Sequence, residues 1–132
     1  VQAYLREASQ CYVYGRFIAC LIVCRSAIEF AIRDRLVACG ADQKLKTLSL
    51  NREDGLKNLI EMAKGGGGLP WTLCPTLKCA DQVREAARKA VHSGEPSPVV
   101  CKEMFEKTRG VLSGLYTKQD PMSFLQQGRE RK

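Results

Sequence analysis

Apolar positions along this chain recur at the three-to-four-residue spacing of a helix, and no stretch of useful length alternates with the two-residue period of a strand. Tyr4, Leu5, Ala8, Cys11 and Tyr12 form one such stripe, and Gly15 interrupts it. A second helix is predicted from Arg16 to Cys39, with Gly40 as its stop. Its first half is apolar on every side, which predicts a buried central helix; its second half turns amphipathic. Residues 41–50 read as a loop. Asn51 is a candidate N-cap for a third helix, with Glu53 and Asp54 in its first turn, where the helix dipole favours acids. Leu56, Leu59, Ile60 and Ala63 make its apolar stripe, and the glycines at 65–68 end it. "LPWTLCP" then reads as an apolar connector whose Trp71 packs back on the bundle.

A fourth helix is predicted over about Thr76 to His92. Ser97-Pro98 has the form of an N-cap and N1 proline for a fifth. The stripe Cys101, Met104, Phe105, Thr108, Val111, Leu112 and Leu115 carries that helix to about Tyr116, before the break at Asp120-Pro121. The expectation is an all-α, antiparallel bundle of four to five helices over residues 1–118, followed by a basic, loosely ordered tail at 119–132. The chain opens at Val1 inside a helical pattern with no initiator Met, which reads as a domain cut from a longer protein.

Composition narrows this picture. Hydrophobic residues make up 45% of the 132, enough for a core, but aromatics are only 7%, so the core is aliphatic and suits packed helices. The formal charge of +7 is spread thinly, with a mild excess after residue 97, and is compatible with a polyanion without requiring one. The apolar run "FIACLIVC" lies between Arg16 and Arg25 and is far short of the roughly twenty residues that a membrane span needs. Of the seven cysteines, Cys20 and Cys24 fall inside this run as small hydrophobes. Cys74 and Cys79 lack the two-residue separation of a zinc or redox pair, and there is no Glu-x-x-His motif. Reduced thiols, a cytoplasmic location, and no metal or cofactor are therefore expected.

Candidate chemistry concentrates in "VREAARKAVHSGEPSP", which holds the sole histidine. On a helical wheel, Ala80, Val83, Ala87 and Val91 share the apolar side with Ala90 close by. Arg84 lies at the rim, and Arg88 and His92 each step about 40° further out. Such a stripe suits metal-free RNA cleavage. An imidazole takes or gives the proton of a 2′-hydroxyl, and guanidinium groups hold the phosphate. One histidine supplies acid and base together only if a two-fold dimer brings in a second. Lys89 adds a cation for nucleic-acid binding. The plainer reading is a solvated basic face with a histidine on the terminal carbonyls.

The segments "YLREASQCYVYGRFIACLIVCRSAIEFAIRDRL", "GLKNLIEMAK" and "VREAARKAVHSGEPSP" together resemble the HEPN superfamily, nearest its small prokaryotic branch, domain of unknown function 4145. The most specific parts are Tyr-x-x-Gly-x-Phe at the start of the second helix, "CRSAIE", and "AVHSG". The resemblance covers about residues 2–116. It implies an all-α bundle, often dimeric, associated with RNA, nucleotides or bacterial defence.

Ribonuclease members of the superfamily carry an arginine, four to six residues, and then the histidine. The positions here that would supply the arginine are Glu85, Ala86 and Ala87. Arg84 is one residue too early and Arg88 one too late, and the branch commonly has asparagine where Arg88 stands. His92 transfers onto the pattern; Arg84 and Arg88 transfer only as loose counterparts. Arg25 and Glu29 also match the branch. Four apart in the most apolar helix, they are expected to form an internal ion pair, the alternative being that Glu29 orients Arg84 or His92.

These readings favour a non-catalytic dimerising module that binds RNA, a nucleotide or a partner protein. Behind it stand a metal-independent endoribonuclease using His92, acting as toxin or defence effector, and a structural accessory domain of a larger assembly.

Overall fold

A computed structural model describes residues 2–38, 55–64, 74–94 and 96–118. They form α1 (Gln2–Val13), α2 (Phe17–Ala38), α3 (Gly55–Lys64), α4 (Cys74–Ser93) and α5 (Pro98–Ser113), which a wider π-helical turn, Gly114–Lys118, extends. The described residues contain no strand, and the fold is all-α, as the periodicity predicts. The expectations for Asn51, Glu53, Asp54, the glycines at 65–68, Trp71, Asp120-Pro121 and the tail lie outside the described residues.

Local chemistry sets the helix ends. At the close of α1, Arg16 N–H donates to the Cys11 carbonyl (2.8 Å) and Gly15 N–H to that of Tyr12 (3.0 Å). With Gly15 at φ +75°, this is a Schellman turn, which satisfies two terminal carbonyls and folds α2 back on α1. Gly94, at φ +102°, ends α4 in the same left-handed conformation, and its N–H donates to the Ala90 carbonyl (3.2 Å). Ser97 caps α5 by accepting from Val100 N–H (3.2 Å), with Pro98 in the first turn, as "SP" predicts.

The helix α2 packs against all four others and forms the middle of the bundle. Leu21, Cys24, Ile28, Ile32 and Leu36 are wholly enclosed, together with Leu56 and Leu59 of α3, Leu77 and Val83 of α4, and Cys101 and Val111 of α5. At the far end of α5, a methyl group on Gly114 would lie 2.9 Å from Thr76 Oγ1. The glycine thus lets the π turn settle on the start of α4, burying Leu115. Beyond it, Tyr116 hydroxyl donates to Asp34 of α2 (2.8 Å), and Arg35 lies over the Tyr116 ring at 5.8 Å.

Three expectations need correcting. The helix α2 is central, but its first half is not buried all round: Ile22 stands open, as do Phe30 and Val37 of the amphipathic second half, on an outer face. Arg25 and Glu29 lie on that face as well. They pair at 3.8 Å, but about a third of each side chain is exposed, so the pair is not internal. On α4, Arg84 is buried (8% exposed) while Val91 is open (57%) and Ala90 takes its place in the core. The side of α4 that is covered at Leu77 and Arg84 opens into a groove by Val91.

Candidate functional site

That groove runs between α2 and α4 and encloses about 430 Å³. Ile22 and Arg25 line it from α2. Arg84, Ala87, Arg88, Val91 and His92 line it from α4. The fold therefore keeps together Arg84, Arg88 and His92, which the sequence had linked by spacing, and adds Arg25 from α2. Lys89 is not among them. It lies about 100° around the helix from Arg88 and lines a separate depression toward α5, with Gln82, Ala86 and Met104. Glu29, the other predicted structural partner, pairs with Arg25 and with Arg33 one turn further along (3.7 Å). Its carboxylate also lies 3.5 Å from where a Cβ on Gly55 would stand, close to the positive end of α3.

The arginines of α4 are held by acids of the same helix. Arg84 Nε donates to Asp81 Oδ1 at 2.9 Å, and its Nη2 to Glu85 Oε2 at 3.3 Å. Arg88 grips the same carboxylate: Nη2 donates to Glu85 Oε1 at 2.5 Å, and Nε reaches both oxygens at 3.2 and 3.3 Å. The Arg88 hydrogen bond, followed by the nearby charges of Arg88, Arg84 and Lys89, holds the Glu85 carboxyl below the usual range. Glu85 thus sits between two guanidinium groups and takes N–H donors of both that a phosphate would otherwise use. Sequence spacing offered Asp81 and Glu85 as partners, each three residues before its arginine. The cations of the stripe alone leave these acids out of account.

His92 stands exposed in the last turn of α4, just before Gly94, where the terminal carbonyls favour positive charge. It can donate or accept a proton at the mouth of the groove. An anion entering beside it must either displace Glu85 or share the arginines with it. The remaining lining, Ile22, Ala87 and Val91, is apolar.

The thiols belong to the core. Cys11, Cys20, Cys24, Cys79 and Cys101 are free. A hydrogen bond with Cys24, reinforced by burial, pushes the Cys20 thiol up. Burial, then a hydrogen bond with Cys20, pushes Cys101 up to about 12. Thiols kept protonated in this way are poor nucleophiles. Among the described residues, no group of three or more histidine, cysteine or acidic side chains is arranged to hold a metal ion, and no helix is long and apolar enough to cross a membrane.

No protein-family model, no curated protein and no solved structure matches the chain.

Proposed function

We propose that this chain is a HEPN-like, non-catalytic helical module that dimerises and uses the α2–α4 groove to bind RNA, a nucleotide or a partner protein in the cytoplasm, as part of a bacterial defence or stress system. One observation carries the reading: Glu85 occupies both Arg84 and Arg88, so the cations of the groove are already matched by carboxylates. A scissile phosphate would have to compete with a tethered carboxylate for each guanidinium. Transition-state stabilisation depends on donors that stand ready before the charge develops. Binding asks less: a ligand can share the arginines and rest its apolar part on Ile22 and Val91. Among the three ligand classes, this neutral, partly apolar lining favours a partner protein.

The test is titration of a fluorescent single-stranded RNA oligonucleotide and of a fluorescent adenine nucleotide, each followed by anisotropy, with co-purification of partner proteins alongside. His92→Ala is expected to leave all three unchanged. A folded wild type that binds neither probe and captures no partner contradicts the reading.

A second reading, a metal-independent endoribonuclease, keeps one supporting observation: Arg84, Arg88 and His92 line a single groove. It requires RNA cleavage in EDTA that His92→Ala abolishes. A third, an accessory domain of a larger assembly, predicts an isolated chain that stays monomeric in size-exclusion chromatography with light scattering.

A further inference from the structure

The most exposed large apolar side chains among the described residues are Tyr14 (76%), Val99 (74%) and Val13 (73%). All three sit at one end of the bundle. Val13 ends α1, Tyr14 follows it in the Schellman turn, and Val99 lies in the first turn of α5. Tyr12 and Pro98–Val99 line one open cavity of about 830 Å³, so the two segments are neighbours. The Cys101 thiol, bonded to the Phe17 carbonyl (3.9 Å), ties the start of α5 to the start of α2. Tyr14, Val13 and Val99 therefore project from one corner of the bundle.

Charge at this corner is unbalanced. Arg16 and Lys102 are exposed beside the apolar side chains and form no ion pair among the described residues. Glu103 and Glu106, the acids nearest them on α5, are already taken by Lys107 (3.5 Å) and Arg109 (3.6 Å). The backbone here is also satisfied. The N–H groups of Gly15 and Arg16 are used in the turn, those of Val100 and Cys101 bond to Ser97, and Pro98 has none. Taking the corner out of water leaves few peptide groups unpaired, which is the main cost of entering lipid.

We propose that this corner docks on an anionic lipid surface. Val13, Tyr14 and Val99 enter the boundary between headgroups and acyl chains, and Arg16 and Lys102 meet the lipid phosphates and carboxylates. Apolar side chains flanked by cations bind such a boundary through buried area together with attraction to anionic lipid, and tyrosine favours it. A bilayer also receives a projecting turn without a shape built to fit it. With two cations and three apolar anchors the contact is reversible and weakened by salt. It uses neither the α2–α4 groove nor a membrane-spanning helix.

Co-sedimentation of the whole chain with sucrose-loaded vesicles tests the proposal. The wild type is expected to pellet with vesicles of equimolar phosphatidylcholine and phosphatidylserine, to stay in solution with phosphatidylcholine alone, and to be released by high salt. Arg16→Gln and Lys102→Gln are each expected to weaken binding about fivefold. The double variant Tyr14→Ser with Val99→Ser is expected to weaken it by at least as much. Lys57→Gln and Lys64→Gln, on α3 and outside this corner, are expected to leave it unchanged. Circular dichroism melts check that each variant is folded. A wild type that ignores the anionic vesicles overturns the proposal and leaves the corner to a protein partner. Losses at Lys57 and Lys64 equal to those at Arg16 and Lys102 overturn it in favour of diffuse attraction to a basic chain. Undiminished binding by the Tyr14 and Val99 double variant overturns the insertion.

Discussion

On the inner face of α2, Cys20, Leu21, Cys24, Ile28 and Ile32 have no exposed surface, whereas Ile22, Phe30 and Val37 on the outer face are 42%, 46% and 47% exposed. The two faces differ little in residue type and completely in surroundings. The inner face is covered by every other helix of the bundle. The outer face carries Arg25, Glu29 and Arg33 between its apolar side chains, all partly solvated. Bundle packing needs only one apolar face of a helix, so apolar side chains on the second point to a use outside the bundle. The helix α4 repeats the division in a polar form. Its inner side has Ala80, Val83, Ala87, Ala90 and the buried Arg84, and its outer side has Arg88, Val91 and His92.

The largest effect expected from this contrast comes from cutting the two faces of α2 alike. Ile28→Ala should lower the unfolding free energy by about 2–5 kcal/mol, because it leaves a cavity in the packed core. Ile22→Ala should stay within about 0.5 kcal/mol, as surface substitutions do. Equal losses in urea denaturation would erase the distinction between the faces. Next comes the same comparison on α4. Arg84→Ala removes a buried stem and its bonds to Asp81 and Glu85, and should cost about 1–3 kcal/mol. Arg88→Ala, at an exposed guanidinium, should leave the melting temperature within the scatter of other surface changes.

A smaller effect is expected at the C-terminal end of α2. Burial, then the bond to Asp34, raises the Tyr116 hydroxyl to about 12. The fold favours the protonated phenol. Its contribution to stability is therefore complete below about pH 10, the ordinary tyrosine value, and is lost as pH rises from there through about 12. Urea midpoints across that window should fall less steeply in Tyr116→Phe than in the wild type. The smallest expected effect is a gain. Glu85→Gln weakens the grip on Arg84 and Arg88, and should tighten binding of single-stranded RNA a few-fold in low salt.

Much of this architecture was legible from the sequence. Ser97-Pro98 and Gly94 mark their helix ends because capping depends on the residues at the cap itself. Ala80, Val83 and Ala87 announce the buried side of α4 by period alone. The open side at Ile22 was not legible, because the first half of α2 is apolar all round and gives no hydropathic signal of which side stays open. Arg84 was misjudged for a related reason: a long aliphatic stem can be buried while its charged end finds acids, so a rim position on a wheel does not fix exposure. Ile22 enters the groove only through the packing of α2 against α4, a tertiary fact. Lys89 could have been separated from Arg88 on the wheel, since adjacent residues of a helix face different ways.

A groove that binds without cutting, with Glu85 holding the arginines a scissile phosphate would need, leaves RNA intact. Incubating purified wild-type protein and His92→Ala with labelled single-stranded RNA in EDTA, from pH 5 to 8, tests it most directly. Intact RNA is expected with both proteins at every pH. Cleavage by the wild type that disappears in His92→Ala would contradict it.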